Sequence, residues 1–174
     1  MSVKVLVFHI GRERCALPLG AVQRVLPAAR LAALAGAPHY VAGLLDLHGD
    51  PVPVIDLSRL AGAAPEAVRY DTRILLVEVP AAGALRRLGL QVEHVAGVAA
   101  LGAAPVDSGI LGAPWLGQVA HAAADDAGML QLIEPARMLA PEVAALLFGA
   151  GGAQEPQATA PAPVPAAATR GARA

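Results

Sequence analysis

The stretch Gly43-Leu44-Leu45-Asp46-Leu47-His48-Gly49-Asp50-Pro51-Val52-Pro53-Val54-Ile55-Asp56-Leu57-Ser58-Arg59-Leu60 decides the fold. Leu44, Leu45 and Leu47 form an apolar run, and His48-Gly49-Asp50-Pro51 interrupts it with residues that favour turns. Val52, Val54 and Ile55 resume the run, and Asp56 to Leu60 reads as a short helical cap. The whole is a hairpin feeding one helical turn. Gly43 and Gly49 are read as backbone choices, because a tight turn needs positive φ. Leu44, Val52, Val54 and Ile55 are core candidates whatever the function. Asp46, His48 and Asp50 are the exposed candidates for contact with a partner, weighed against a plain solvated turn.

Outward from this hairpin, strand-like runs recur with turn residues between them. From Val3 to Ile10, Val3, Val5 and Val7 share one face, while Leu6, Phe8 and Ile10 share the other. Gly11 to Arg14 is a polar turn, and Cys15 to Leu19 is a return strand. Pro18 places that strand at an edge or a bulge, because proline cannot donate to a ladder. Ala21 to Leu26 fits a strand or a helical turn, ended by Pro27. Arg73 to Val79 is a buried strand, and Leu88 to Val92 is another that continues toward Val98. Gly102 to Gly112 reads as a loop. Trp115 to Ala120 and Met129 to Ile133 form a closing pair around the turn-like Asp125 to Gly128. Pro141 opens a final helix through Phe148.

Beyond Gly149 the chain is Ala-, Pro- and Gly-rich, with Val164 its only large apolar residue. Such a segment buries too little to offset its ordering entropy. The expected organisation is one domain over 1–148 and a flexible tail over 149–174. Many short strands with one terminal helix indicate an all-β barrel or sandwich.

Composition excludes several functions. Thirteen basic and fourteen acidic side chains leave a formal net charge of −1, and aromatic residues make up 3%. Neither a basic stripe nor a base-stacking platform is visible, so no nucleic-acid partner is expected. Cys15 is the only cysteine, so no intrachain disulfide forms and no four-thiolate zinc site exists. It reads as a small core residue rather than a nucleophile. His9, His39, His48, His94 and His121 lack the spacing that gathers metal ligands on one face. No glycine-rich loop is followed by Gly-Lys-Ser/Thr, and nothing brings Glu78, Glu93 and Glu134 together as an acid–base pair. No enzyme activity, cofactor or metal is expected. No apolar stretch reaches the roughly 18 residues that span a bilayer, so membrane insertion is not expected and a cytoplasmic location is.

The span Pro38 to Leu57 resembles the signature of CheW-like domains, in which a Pro-x-x-hydrophobic-x-Gly lead precedes Asn-Leu-Arg-Gly and then Pro-Val-hydrophobic-Asp-Leu. Phe8 to Leu19 is similar to the family's opening hairpin and Val22 to Leu26 to its next strand. Leu88-Gly89-Leu90-Gln91-Val92-Glu93-His94-Val95 is similar to its Gly-Leu-x-Val-Asp-x-Val strand. The resemblance runs from about Val3 to Phe148. It implies a pair of small five-stranded SH3-like β-barrels around a shared hydrophobic seam, with a short C-terminal helix.

The resemblance also implies an adaptor of a chemotaxis-type two-component system. One barrel would meet the regulatory domain of a CheA-type histidine kinase, and a groove between the barrels would take the cytoplasmic tip of a methyl-accepting chemotaxis receptor. The interaction residues it implies are Leu44, Asp46, His48, Gly49, Asp50 and Val52, and the location is at membrane receptor arrays. Two positions depart from the pattern: Asp46 replaces Asn and His48 replaces Arg. Histidine lacks arginine's permanent charge and fork of donors, and Asp46 beside it suggests an acidic patch. An array-tuning paralogue that binds receptor with little kinase coupling is therefore one alternative. Trp115-Leu116-Gly117, Gln131 to Pro135 and Leu146-Leu147-Phe148 are similar to coupling proteins of surface-sensing, Wsp-like systems. A small-molecule-binding β-barrel sensor is the alternative from another class.

Overall fold

The computed structural model describes residues 2–64, 67–107, 112–123 and 128–149. Among the described residues, nine strands are arranged as two groups that share one long strand. The first group contains β1 (Lys4–Ile10), β2 (Glu13–Pro18) and the distal part of β7 (Ala84–Ala100), with β8 (Leu116–His121) and β9 (Met129–Ile133). The second contains β3 (Val22–Pro27), β4 (Val41–Leu47), β5 (Asp50–Asp56), β6 (Arg73–Ala81) and the proximal part of β7. Five strands therefore serve each group. Bridges draw each group's ends together: Leu101 meets Ala122 in the first, and Ala32 meets Leu44 in the second.

Three apolar clusters follow from the two-residue period of strands. In β1, Val5 and Val7 point into the first group with Ala16, Leu101, Ala120, Leu130 and Leu132. Leu6, Phe8 and Ile10 point the other way, into a seam between the groups. In β6, Ile74 and Leu76 join Leu45, Val52 and Val54 inside the second group, while Leu75, Val77 and Val79 join the seam. A strand buried on both faces loses the alternation of a half-exposed one, which is why Ile74 to Val77 reads as an unbroken aliphatic run. Gly89 has a packing reason: a β-carbon there would lie 2.9 Å from Val54 Cγ2 and 3.0 Å from Ile74 Cγ2.

Most expected elements are present, with shifts that have physical causes. Leu19–Ala21 is a single 3₁₀ turn, and Val22–Pro27 is strand, so the segment left open between helix and strand contains a little of each. Pro18 ends β2 where only β1 pairs with it, because β9 meets β2 through Cys15 and Ala16 alone. β7 starts four residues before Leu88, since the two-residue turn Ala82-Gly83 zips Ala84 to Arg87 onto β6. The expected Gly102–Gly112 loop contains a bridge from Val106 to Val119, and its residues 108–111 lie outside the described set. So do 125–127 of the expected Asp125–Gly128 turn, and residues 150–174.

Two α-helices among the described residues complete the frame. Helix α1 (Leu57–Leu60) follows β5 directly, its backbone capped by Asp56, whose Oδ1 accepts the Arg59 N–H at 3.1 Å. Helix α2 (Pro141–Phe148) starts with proline at its first turn and lays Leu147 and Phe148 against the seam.

Candidate functional site

The turn between β4 and β5 is a two-residue hairpin, with Leu47 paired to Asp50. His48 has φ 56° and Gly49 has φ 90°, the double positive φ of a type I′ turn, whose twist matches that of the strands. Glycine is the usual residue for the second position. Histidine at the first is among the few L residues that populate this region readily. Asp46 Oδ1 accepts the Gly49 N–H at 2.6 Å, so this carboxylate supports the turn that presents His48. Asp50 Oδ2 receives Arg87 Nη1 at 3.1 Å, both side chains about half exposed; such a pair contributes no more than about 1 kcal/mol.

The expected interaction residues divide by burial. Val52 is 1% exposed and faces the interior of the second group. Leu44 is half-buried, and its backbone is bonded to Ala32 in both directions. Asp46, His48, Gly49 and Asp50 are exposed. Around His48 lies a shallow polar depression that also includes Arg24, Glu78 and Arg87. Asp46 is occupied by backbone and Asp50 by Arg87, so the expected acidic patch is a mixed-charge rim. Arg24, Glu78 and Arg87 come from β3, β6 and β7. The sequence offered no local signal for them, because only strand pairing brings them to this turn.

A second concave surface lies where the two groups meet. Ile10, Cys15, Leu60, Ala63, Ala113 and Trp115 line an apolar groove beside the polar Arg12 and Glu13. Trp115 is 6% exposed and belongs to the seam. Cys15 is buried, and desolvation, with the Glu13 charge adding, pushes its thiol up to about 12. A thiol so placed is a packing group rather than a nucleophile. Among the described residues, no three His, Cys, Asp or Glu side chains assemble as a metal set. No helix among them is long and apolar enough to cross a membrane.

Two five-stranded groups sharing a strand, a seam core and a capped hairpin define a β scaffold of the CheW type. The CheW-like domain family matches residues 4–142, and the chain belongs to that family, the scaffold and adaptor class of chemotaxis signalling. The fold is also that of the scaffolding protein TtCheW from Thermoanaerobacter tengcongensis. The two superpose with a TM-score of 0.68 at 24% identity, over 79% of this chain and 92% of that one. No curated protein matches the sequence.

Proposed function

We propose that this chain is a non-catalytic coupling adaptor that joins the cytoplasmic tip of a methyl-accepting receptor to the regulatory domain of a CheA-type histidine kinase. The observation that carries this reading is the presence of two separate surfaces on one packed frame. The apolar groove around Ile10, Leu60 and Trp115 suits the hydrophobic flank of a helical hairpin. The His48 turn of the second barrel, exposed and preset by its backbone, suits a partner of similar β architecture. Signalling would then depend on geometry within a receptor array at the membrane. The adaptor unit is 1–148, because Leu147 and Phe148 still pack on the seam, and the segment from 149 onward is dispensable for it.

His48 motivates one variant of this reading. Without the family's arginine the kinase contact loses a forked, permanently charged donor, which would leave an array-tuning paralogue that binds receptor alone. A ligand-binding barrel is disfavoured, because mid-sized aliphatics such as Val5, Val7, Val52 and Val54 fill both interiors. Calorimetric titration against the receptor tip and the kinase regulatory domain encoded near this gene tests all three. Binding to both is expected. Binding to the receptor alone would select the tuning role, and binding to neither would reject the adaptor.

A further inference from the structure

β7 leaves the second barrel and enters the first between Glu93 and Gly97. Against β1, His9 faces Glu93 and Val7 faces Gly97, so a four-residue step on β7 answers a two-residue step on β1. His94 sits inside this bulge with φ 48°, a left-handed conformation that costs an L residue about 1–2 kcal/mol. Both barrels hold it there. Its Nδ1 lies 2.8 Å from Asp71 Oδ2, on the loop ahead of β6 in the second barrel. Its carbonyl oxygen lies 3.3 Å from Nδ1 of His9, on β1 of the first. The two rings meet edge-on, with centroids 6.0 Å apart.

Each contact requires a proton on Nδ1. A neutral imidazole has one proton to place on either nitrogen, whereas the charged ring donates from both. Protonation therefore turns a conditional contact into an obligatory one. Among the surrounding charges, the Asp71 carboxylate bears most directly on His94. Asp71 faces it directly, and its carboxyl is held below the ordinary range chiefly by the His94 hydrogen bond, against desolvation, with the charges of His94 and Arg69 adding. Asp71 is thus an anion wherever imidazoles titrate. His9 faces Arg14 on β2 and Glu93 on β7, and its ring centroid lies 6.0 Å from that of His94. Arg73, at the start of β6, is directed to the carbonyls of Tyr70 and Thr72.

We infer that His94, clasped between Asp71 and His9, is a proton-operated latch on the joint between the two barrels, closed when His94 is charged and loosened when it is neutral. The latch would set how rigidly one barrel presents its surface relative to the other. It does not rest on the adaptor reading, and its test needs no partner.

The test is amide hydrogen exchange on the full chain, corrected for intrinsic rates, between pH 5.5 and 8. Protection of residues 93–97 and 7–9 is expected to fall about tenfold on deprotonation. His94→Asn keeps a residue tolerant of left-handed backbone and removes the titration, so its protection should be independent of pH across this range. Asp71→Asn should flatten the profile in the same way, and it decides the matter if His94→Asn does not fold. Equal pH dependence in the native chain and the variants, or a loss spread over the whole chain, would overturn the latch.

Discussion

A β-carbon on Gly43 would lie 2.5 Å from the carbonyl oxygen of Ala32. That oxygen accepts the N–H of the next residue, Leu44, at 2.8 Å, and the Ala32 N–H donates to the Leu44 carbonyl at 2.9 Å. The segment after β3 is thereby tied to β4. Gly43 also has φ 145°, so a side chain there is both strained and blocked. The obstacle is backbone and cannot rotate aside. Gly43→Ala is expected to lower the unfolding free energy by about 2–4 kcal/mol, measured by urea denaturation. A loss below about 0.5 kcal/mol, the size of an ordinary surface change, would mean that the 31–32 segment is not held against β4.

Asp46 acts through one oxygen, which accepts the Gly49 N–H. Asparagine, the residue usual in the family at this position, offers the same acceptor without the charge. Asp46→Asn should therefore leave stability within about 0.5 kcal/mol, whereas Asp46→Ala should cost about 1 kcal/mol by orphaning the turn amide. Thermal unfolding of the two variants side by side checks this. Equal losses would show that charge, not the acceptor, is what the turn uses.

Under the adaptor reading, His48 on the same turn is the position at which partner strength can be tested. His48→Arg adds a forked cation at a rim that already contains Arg24, Arg87 and Glu78. If the family's arginine contact is the missing one, the kinase regulatory domain should bind about tenfold more tightly, equivalent to about 1.4 kcal/mol. Calorimetry on the native chain and the variant measures it. An unchanged Kd would indicate a site rebuilt around histidine.

Much of this frame was legible in the sequence, and for a consistent reason. The Leu44–Leu60 hairpin, the Ile74–Val77 run and the Pro141 helix each declare themselves through periodicity, turn residues or capping within a few positions. The opposed faces of β1, Val5 and Val7 against Leu6, Phe8 and Ile10, were also readable, and they serve two different cores. What was not readable lies in pairings across long separations. Asp50 meets Arg87 across 37 residues, His94 meets Asp71 across 23, and the His94 carbonyl meets His9 across 85. No local pattern encodes such meetings. Hence Val52, expected at the interaction surface, is buried by the fold, and the meeting of Arg24, Glu78 and Arg87 beside the turn was not readable.

Ala82 is a place where the fold tolerates a poor local choice. The β6–β7 hairpin pairs Ala81 with Ala84 and leaves Ala82 and Gly83 as a two-residue turn, at φ 50° and 75°. Alanine at the first position has no side-chain group to offset the left-handed backbone. Asparagine is favoured there, so Ala82→Asn should stabilise the chain by about 0.5–1 kcal/mol without touching either candidate surface. A rise in Tm with unchanged partner binding is the expected result, and a fall in Tm would place the turn in another conformation.

Cys15 provides a measure of how dry the seam is. Desolvation pushes its thiol from an ordinary value of 9.0 up to about 12, so the folded chain retains a proton that the unfolded chain releases. Below pH 9 both states hold that proton and the contribution to stability is complete. Between pH 9 and 12 the folded state binds more protons than the unfolded one, and stability therefore declines as pH rises, by about 1.4 kcal/mol per unit. Cys15→Ala removes this component. Between pH 7.5 and 10 the native chain should lose about 1 kcal/mol more than the variant in urea unfolding, and its thiol should resist alkylation at pH 8 while folded. Parallel losses in the two chains, together with rapid alkylation, would mean that water reaches the floor of the inter-barrel groove and that its apolar lining is not closed beneath Trp115.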